Sequence, residues 1–208
     1  MLKYVWVTVY VSVLSLILAL GFALVISVSI ELEVPVLSRV SKVWKSIFRG
    51  TPLLAQLFWI CYGLPQIIEP LKYVPIEILL IAGMSFNASS YMAESLRGAV
   101  LSIDSGQMEA CLSSGMTAFQ GMRRIVLPQA FRVAVPALSN NFVDIIKQSS
   151  LAFTLGIKEI MSVAKMEGAS AHKFLEAFTA VMIVYWLVIF AVNCLQKLLE
   201  KRLNRIEG

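Results

Sequence analysis

Charged side chains are scarce in this sequence, at 15% of residues against 58% hydrophobic ones. That balance excludes an ordinary soluble domain of this length and leaves a polytopic membrane protein. Histidine is almost missing. His172 is the single example, with no partner at ligand spacing, so no metal site is expected and His172 reads as a solvated loop residue. Cys61, Cys111 and Cys194 lie far apart in the chain. They read as small core residues, with no disulfide framework and no metal-ligand spacing. The chain has no phosphate-binding G-x-x-x-x-G-K-[ST], no paired-histidine metal motif and no G-x-S-x-G elbow, so it carries no ATPase site of its own and no catalytic residues are expected. The formal net charge of +5 comes without a basic cluster interleaved with aromatics, which leaves nucleic-acid binding without support. Internal repeats, low-complexity tracts and flexible linkers are also missing, so residues 1–208 read as one domain.

What is present is long apolar runs. Residues 4–30 contain no charge, enough for a bilayer that needs ~20 apolar residues, and too long for a signal-peptide core. A polar connector carrying Arg39, Lys42, Lys45 and Arg49 follows from Glu31 to Arg49. The second span begins within Phe48-Arg49-Gly50-Thr51-Pro52-Leu53-Leu54-Ala55-Gln56-Leu57 and runs to Ile68. Its two glycine–proline punctuations predict an irregular or kinked helix. A third span covers Ile78 to about Leu96, a fourth lies in the stretch after Pro128, and a fifth covers Ala177 to Gln196, with a second polar connector from Lys158 to Glu176. The expected fold class is therefore all-α, with five transmembrane helices.

The one long segment that is amphipathic is residues 105–128. It reads as a helix from about Gly106 to Ser114, capped by Asp104 or Ser105, with Met108, Cys111 and Leu112 on one side. Gly115 ends that helix. Thr117 and Gln120 have the spacing of a capping box that starts a second, and Pro128 predicts a boundary near Leu127.

The spacing in this segment is Glu109-Ala110-Cys111, three residues, Gly115, nine residues, then Ile125-x-Leu127-Pro128. It resembles the EAA loop of bacterial ABC importer permeases, with Cys111 in place of the second alanine. FRGTPLLAQL resembles a signature of the polar amino acid branch of that family, and SYMAESLRGAVLSIDSGQMEA resembles the pattern leading into its EAA loop. The stretch around Asn140, Lys147, Ser149 and Ser150 resembles the family's P-x-L-x-N-x-x-x-x-x-x-K-x-S-S-L run. The resemblance implies a type I ABC importer permease fold, with Glu109, Ala110, Cys111, Gly115, Ile125, Leu127 and Pro128 docking a coupling helix on an ATP-binding subunit. It also implies a dimer of such subunits holding ATP and Mg, a second permease chain, identical or homologous, and an extracytoplasmic solute-binding protein. The solute implied is a polar amino acid, and the chain itself needs no cofactor. The location implied is the bacterial plasma membrane.

Basic residues set an independent expectation for topology. With five spans, Arg39, Lys42, Lys45, Arg49, Arg97, Arg123, Arg124, Arg132, Lys197, Lys201, Arg202 and Arg205 fall on one side, and Lys3, Lys72, Lys158, Lys165 and Lys173 on the other. The N-terminus is then outside, and the 105–128 segment and the C-terminus are cytoplasmic.

Polar residues inside apolar spans are costly and face a bundle interior or an aqueous cavity. Asn87, Tyr91 and Glu94 are four and three residues apart, as are Asn140, Asp144 and Lys147, and Ser149 and Ser150 follow. Two such faces meeting would form a substrate path, with Glu94 or Asp144 near a solute's ammonium and Lys147 near its carboxylate. The structural alternative is that Asp144 pairs with Lys147, and Glu94 with Arg97. Competing readings of the whole chain are a permease for another small solute, an ATP-independent secondary transporter or channel, which leaves the amphipathic loop unexplained, and a membrane enzyme, for which Glu94, Asp144 and Lys147 lack a partner set.

Overall fold

A computed structural model describes residues 2–204 of the chain, so Arg205 of the basic tail lies outside the described residues. Every regular element among the described residues is helical. Three helices are long and apolar enough to cross a membrane: α1 (Val5–Glu31), α5 (Ile76–Leu101) and α10 (Phe174–Asn204). They correspond to the first, third and fifth expected spans.

The second expected span is built in two pieces. The presumed connector after α1 is itself a helix, α2 (Leu37–Gly50). It forms because Ser38, Ser41 and Phe48 recur at helical spacing and bury one face, while Val40, Val43 and Ile47 stay exposed on another. The chain then turns extended at Thr51 and Pro52 and resumes as α3 (Leu53–Phe58), a π turn at Trp59–Gly63 and α4 (Leu64–Ile67). Residues Leu53–Ile67 alone measure about 22 Å at ~1.5 Å per residue, short of a hydrocarbon core of ~30 Å. The fourth expected span, α8 (Leu127–Gln148), is long enough but carries Arg132, Asp144 and Lys147, so three helices rather than five meet the composition expected of a span. The second connector is also helical, as α9 (Ile160–Ala171). Its N-terminus is capped by the Glu159 carboxylate, which accepts from the Met161 and Ser162 amides at 2.8 and 2.7 Å and from the Tyr185 hydroxyl at 3.0 Å. Burial pushes this carboxyl above its ordinary range, opposed by those three donors. His172 ends α9 in a left-handed conformation and is exposed, as expected of a loop residue.

α5 lies at the centre. It runs parallel to α1, because Ser15 Oγ donates to the Ile81 carbonyl and Ser27 Oγ to the Ala93 carbonyl, both across the same offset of 66 residues. Ser12, Ser15, Ala19 and Ala23 form the fully buried stripe of α1, and their small size allows close approach of the two backbones. α8 packs on another face of α5, while α10 sits at the periphery against α8 and α9 and exposes Met182, Trp186, Leu187 and Phe190. The stretch Leu53–Gly63 comes close to α5 at Gly83, where a Cβ would lie 2.8 Å from Leu57 Cδ2 and 3.3 Å from Ile60 Cδ1. Leu57 is fully buried and has nowhere to retreat. Gly83→Val is expected to destabilise the fold by about 1–3 kcal/mol through overpacking, read as a lower Tm in detergent; an unchanged Tm would mean the two helices are free to separate.

Candidate functional site

The break between α2 and α3 falls opposite the middle of α5 and is held by amide side chains. Gln56 Nε2 donates to the carbonyls of Phe48 and Thr51, both at 3.0 Å, and to Thr51 Oγ1 at 2.7 Å. Asn87 Nδ2 donates to the Phe48 carbonyl at 3.1 Å and to Gln56 Oε1 at 2.9 Å. Thr51 Oγ1 in turn donates to the Ile47 carbonyl at 2.8 Å. The carbonyls of Ile47, Phe48 and Thr51 at the break are thereby satisfied inside the protein, as irregular backbone within a membrane requires.

Beside this break is a cavity of about 230 Å³ between α5 and α8, lined by Asn87, Ala88, Tyr91, Asn141, Asp144, Ile145 and Gln148. Three residues expected on a substrate path from spacing alone, Asn87, Tyr91 and Asp144, meet here. The others do not line it. Asn140 is exposed on a different face of α8. Lys147 reaches back to Asp144 at 3.3 Å, the pairing foreseen as the structural alternative, and its side chain is 58% exposed. Ser149 and Ser150 donate to the carbonyls of Ile146 and Lys147, both at 2.7 Å, as the chain tightens into a 3₁₀ turn at Ser149–Leu155. Asn141 and Gln148 line the cavity although sequence spacing does not single them out. They lie at i−3 and i+4 from Asp144, and that helical register is the signal that selects them.

Glu94 belongs to a different constellation. Its carboxylate meets Lys45, Arg49 at 3.5 Å and Arg97 at 3.6 Å. The pairing with Arg97 is the expected alternative; Lys45 and Arg49 are additions that depend on α2 being a helix packed on α5. Arg49 also lies over the Tyr91 ring, 5.7 Å from its centroid. The cluster therefore adjoins the cavity on the side towards the C-terminus of α5.

The 105–128 segment follows from there. α6 (Ser105–Ser113) is capped by Asp104, whose Oδ1 accepts from the Gly106 amide at 2.7 Å. At its end Gly115 takes φ +81°, the Met116 amide donates to the Cys111 carbonyl and the Gly115 amide to that of Leu112, both at 3.0 Å. This is the Schellman pattern. Thr117 and Gln120 form the expected capping box of α7 (Ala118–Gly121). Cys111 is buried because it faces Gly121, where a Cβ would lie 3.0 Å from Cys111 Cβ and from Met108 Sδ. A small side chain at position 111 is thus a packing requirement of the two-helix turn.

Two expectations for this segment change. Leu112, expected on the same side as Cys111, is 50% exposed. Pro128 does not end the helix: a π turn at Met122–Val126 joins α7 to α8, and Pro128 sits in the first turn of α8. The wider π turn accommodates a residue without an N–H, whose ring would clash with the carbonyl four residues back in a regular helix. Glu109, Ala110, Gly115, Leu127 and Pro128 are exposed and Ile125 is half-buried. With Leu112 and Phe119, which is 73% exposed, they leave this segment unpacked on its outer side.

Comparison with known proteins places this arrangement. The model of the binding-protein-dependent transport system inner membrane component family matches residues 19–205. The chain belongs to that family, and so is a membrane-embedded component of a binding-protein-dependent transport system. It is 44% identical over 205 residues to the "Probable amino-acid ABC transporter permease protein PatM" of Vibrio harveyi, covering 99% of this chain and 92% of that protein. It is 41% identical over 199 residues to the "Probable amino-acid permease protein YxeN" of Bacillus subtilis, covering 96% and 89%. A solved structure described as an amino acid ABC transporter with histidines superposes with a TM-score of 0.89 at 26% identity, covering 97% of this chain and 92% of that one.

Proposed function

We propose that this chain is the permease subunit of an ABC importer for a polar amino acid, and that it forms the translocation path while a separate ATP-binding subunit holds ATP and Mg. The observation that carries the amino-acid class is the similarity, across almost the whole chain, to two proteins described as amino-acid permeases. The geometry supports the division of labour. Residues 105–128 present an exposed, doubly capped element suited to docking on an ATPase, with Glu109 and Gly115 at its centre and Ala110, Cys111, Ile125, Leu127 and Pro128 shaping it. The cavity between α5 and α8, lined in part by Asn87, Tyr91 and Asp144, supports reading these residues as part of a polar path for the solute. In this reading the assembly holds two permease chains and two ATPases and receives solute from an extracytoplasmic binding protein. The chain crosses the bacterial plasma membrane five times, with α2 to α4 forming one broken crossing and α8 another, the N-terminus outside and the C-terminus cytoplasmic.

Two measurements test this reading, one on the purified complex and one on intact cells. The chain is expected to co-purify with an ATP-binding subunit whose hydrolysis rises when an amino acid and its binding protein are supplied; ATPase-independent uptake would favour a secondary transporter or channel. An impermeant thiol probe outside intact cells is expected to label a cysteine placed at Lys72 or His172 and to miss one at Lys42 or Arg202. Labelling in the reverse pattern would overturn the topology.

A further inference from the structure

A second cavity, of about 350 Å³, opens where the start of α1 meets α9. It shares no lining residue with the proposed solute path. Lys3 and Lys158 supply its positive charge, Glu167 its carboxylate, and Tyr4, Val163 and Met166 its apolar wall. Neither lysine is neutralised from within the protein. No ion pair of Lys3 or Lys158 occurs among the described residues. The carboxylate next to Lys158, that of Glu159, is taken up by the Met161 and Ser162 amides and the Tyr185 hydroxyl. Lys3 lies over the Tyr4 ring, 5.7 Å from its centroid, and an aromatic face supplies no oxygen acceptor.

An apolar track leads away from this charged mouth. Lys3 sits in the 3₁₀ turn that runs into α1, and Trp6, Tyr10, Val13 and Ile17 follow it at helical spacing, all exposed. One face of the helix thus carries an ammonium at its end and a continuous apolar stripe along the span. Trp6 and Tyr10 stack with centroids 6.3 Å apart, at the end of the span where amphipathic rings favour the headgroup level.

We infer that this cavity is a phospholipid site, in which Lys3 and Lys158 hold the phosphodiester of an anionic lipid and an acyl chain lies along Trp6, Tyr10, Val13 and Ile17. The charges set the class. Two lysines and Glu167 leave a net positive charge of one, which a single phosphodiester neutralises. A choline lipid brings a further cation into the same mouth and gains less there. Phosphatidylglycerol meets the requirement, since its headgroup hydroxyls are donors that Glu167 accepts. The site needs only that α1 crosses the membrane, so it stands whatever solute is moved.

Trp6 gives the test a local probe, because brominated acyl chains quench an indole they touch. The transporter, with the subunits that accompany this chain, is placed in phosphatidylcholine nanodiscs that hold a minor fraction of brominated phosphatidylglycerol or, in parallel, of brominated phosphatidylcholine. Quenching due to Trp6 is the part lost in Trp6→Phe. Phosphatidylglycerol is expected to be enriched at Trp6 roughly 5-fold over phosphatidylcholine, and Lys3→Gln or Lys158→Gln should each remove most of that enrichment. Both lysines are exposed, so neither change threatens the fold. Lys72→Gln, an exposed lysine outside the cavity, should leave the enrichment as it is. Equal quenching by the two lipids, or enrichment that survives both cavity variants, overturns the lipid site. Release of the quenching by glycerol phosphate, which carries the anion without the chains, overturns it in favour of a free phosphate. Enrichment that survives both variants while binding-protein-stimulated ATP hydrolysis is lost overturns it in favour of a docking surface for the binding protein.

Discussion

Gly115→Trp is expected to abolish amino-acid-stimulated ATP hydrolysis while the chain still inserts in the membrane. The reason is local. Gly115 adopts φ +81° so that the Met116 and Gly115 amides can close the end of α6 and reverse the chain into the capping box at Thr117. An L-residue in that conformation costs about 1–2 kcal/mol, enough to weaken the turn but not to destroy it. A Cβ at this position meets nothing within 4 Å, so the indole would project from the exposed side, where the ATP-binding subunit is proposed to dock. Size and strain can therefore be separated by a series. Gly115→Asn, tolerant of the left-handed region, should retain most coupling. Gly115→Ala should lose part of it, and Gly115→Trp should lose the ATPase from the purified complex or leave its activity indifferent to solute. Normal transport by the tryptophan variant would remove residues 105–128 from the coupling interface.

That two-helix turn is legible in sequence because its determinants are local. Asp104, Gly115, Thr117 and Gln120 each act within a few residues of themselves, and every cap they imply is present. The long spans α1, α5 and α10 are legible for the same kind of reason, continuous apolar runs. Harder to read is α2, because its polar positions suggest a connector. Ser38, Ser41 and Phe48 become a buried face only when α1 and α5 are beside them, and Ser41 Oγ shares a 2.7 Å hydrogen bond with Ser29 of α1. Pro128 misleads in the opposite direction, since a π turn is a response to the whole α7–α8 junction and has no short sequence signature.

Of the expected site residues, helical spacing correctly joins Asn87 to Tyr91 on α5, but on α8 it groups Asp144 with Asn140 and Lys147, neither of which lines the cavity. Asn87, Tyr91 and Asp144 come together because α8 packs beside α5 at their level. Asn140 and Asn141 are neighbours in sequence, and only the packing of α8 decides that Asn141 turns inward. Gln56 illustrates the same limit. Its amide closes a break whose carbonyls belong to Phe48 and Thr51, so its role is invisible until the interruption between α2 and α3 is seen.

The charge cluster beside the cavity yields the second large effect. Glu94→Leu is expected to disrupt assembly of the bundle, while Glu94→Gln should lower stability by about 1–3 kcal/mol and leave the KM of the residual transport unchanged. Lys45 dominates this expectation. Its side chain is only 16% exposed, against 45% for Arg97 and 44% for Arg49, so removal of the Glu94 carboxylate strands Lys45 in a partly dry position between α2 and α5. The Arg97 pair, exposed and three residues away on the same helix, should contribute only about 0.2–0.5 kcal/mol. Double-mutant cycles on the solubilised complex measure the difference: Glu94→Gln with Lys45→Gln should couple more strongly than Glu94→Gln with Arg97→Gln. Equal couplings would show that the cluster is a screened surface network. A rise in KM at unchanged stability would instead return Glu94 to the solute path, because a residue that only braces α2 against α5 alters how much transporter is assembled and not how well it holds its solute.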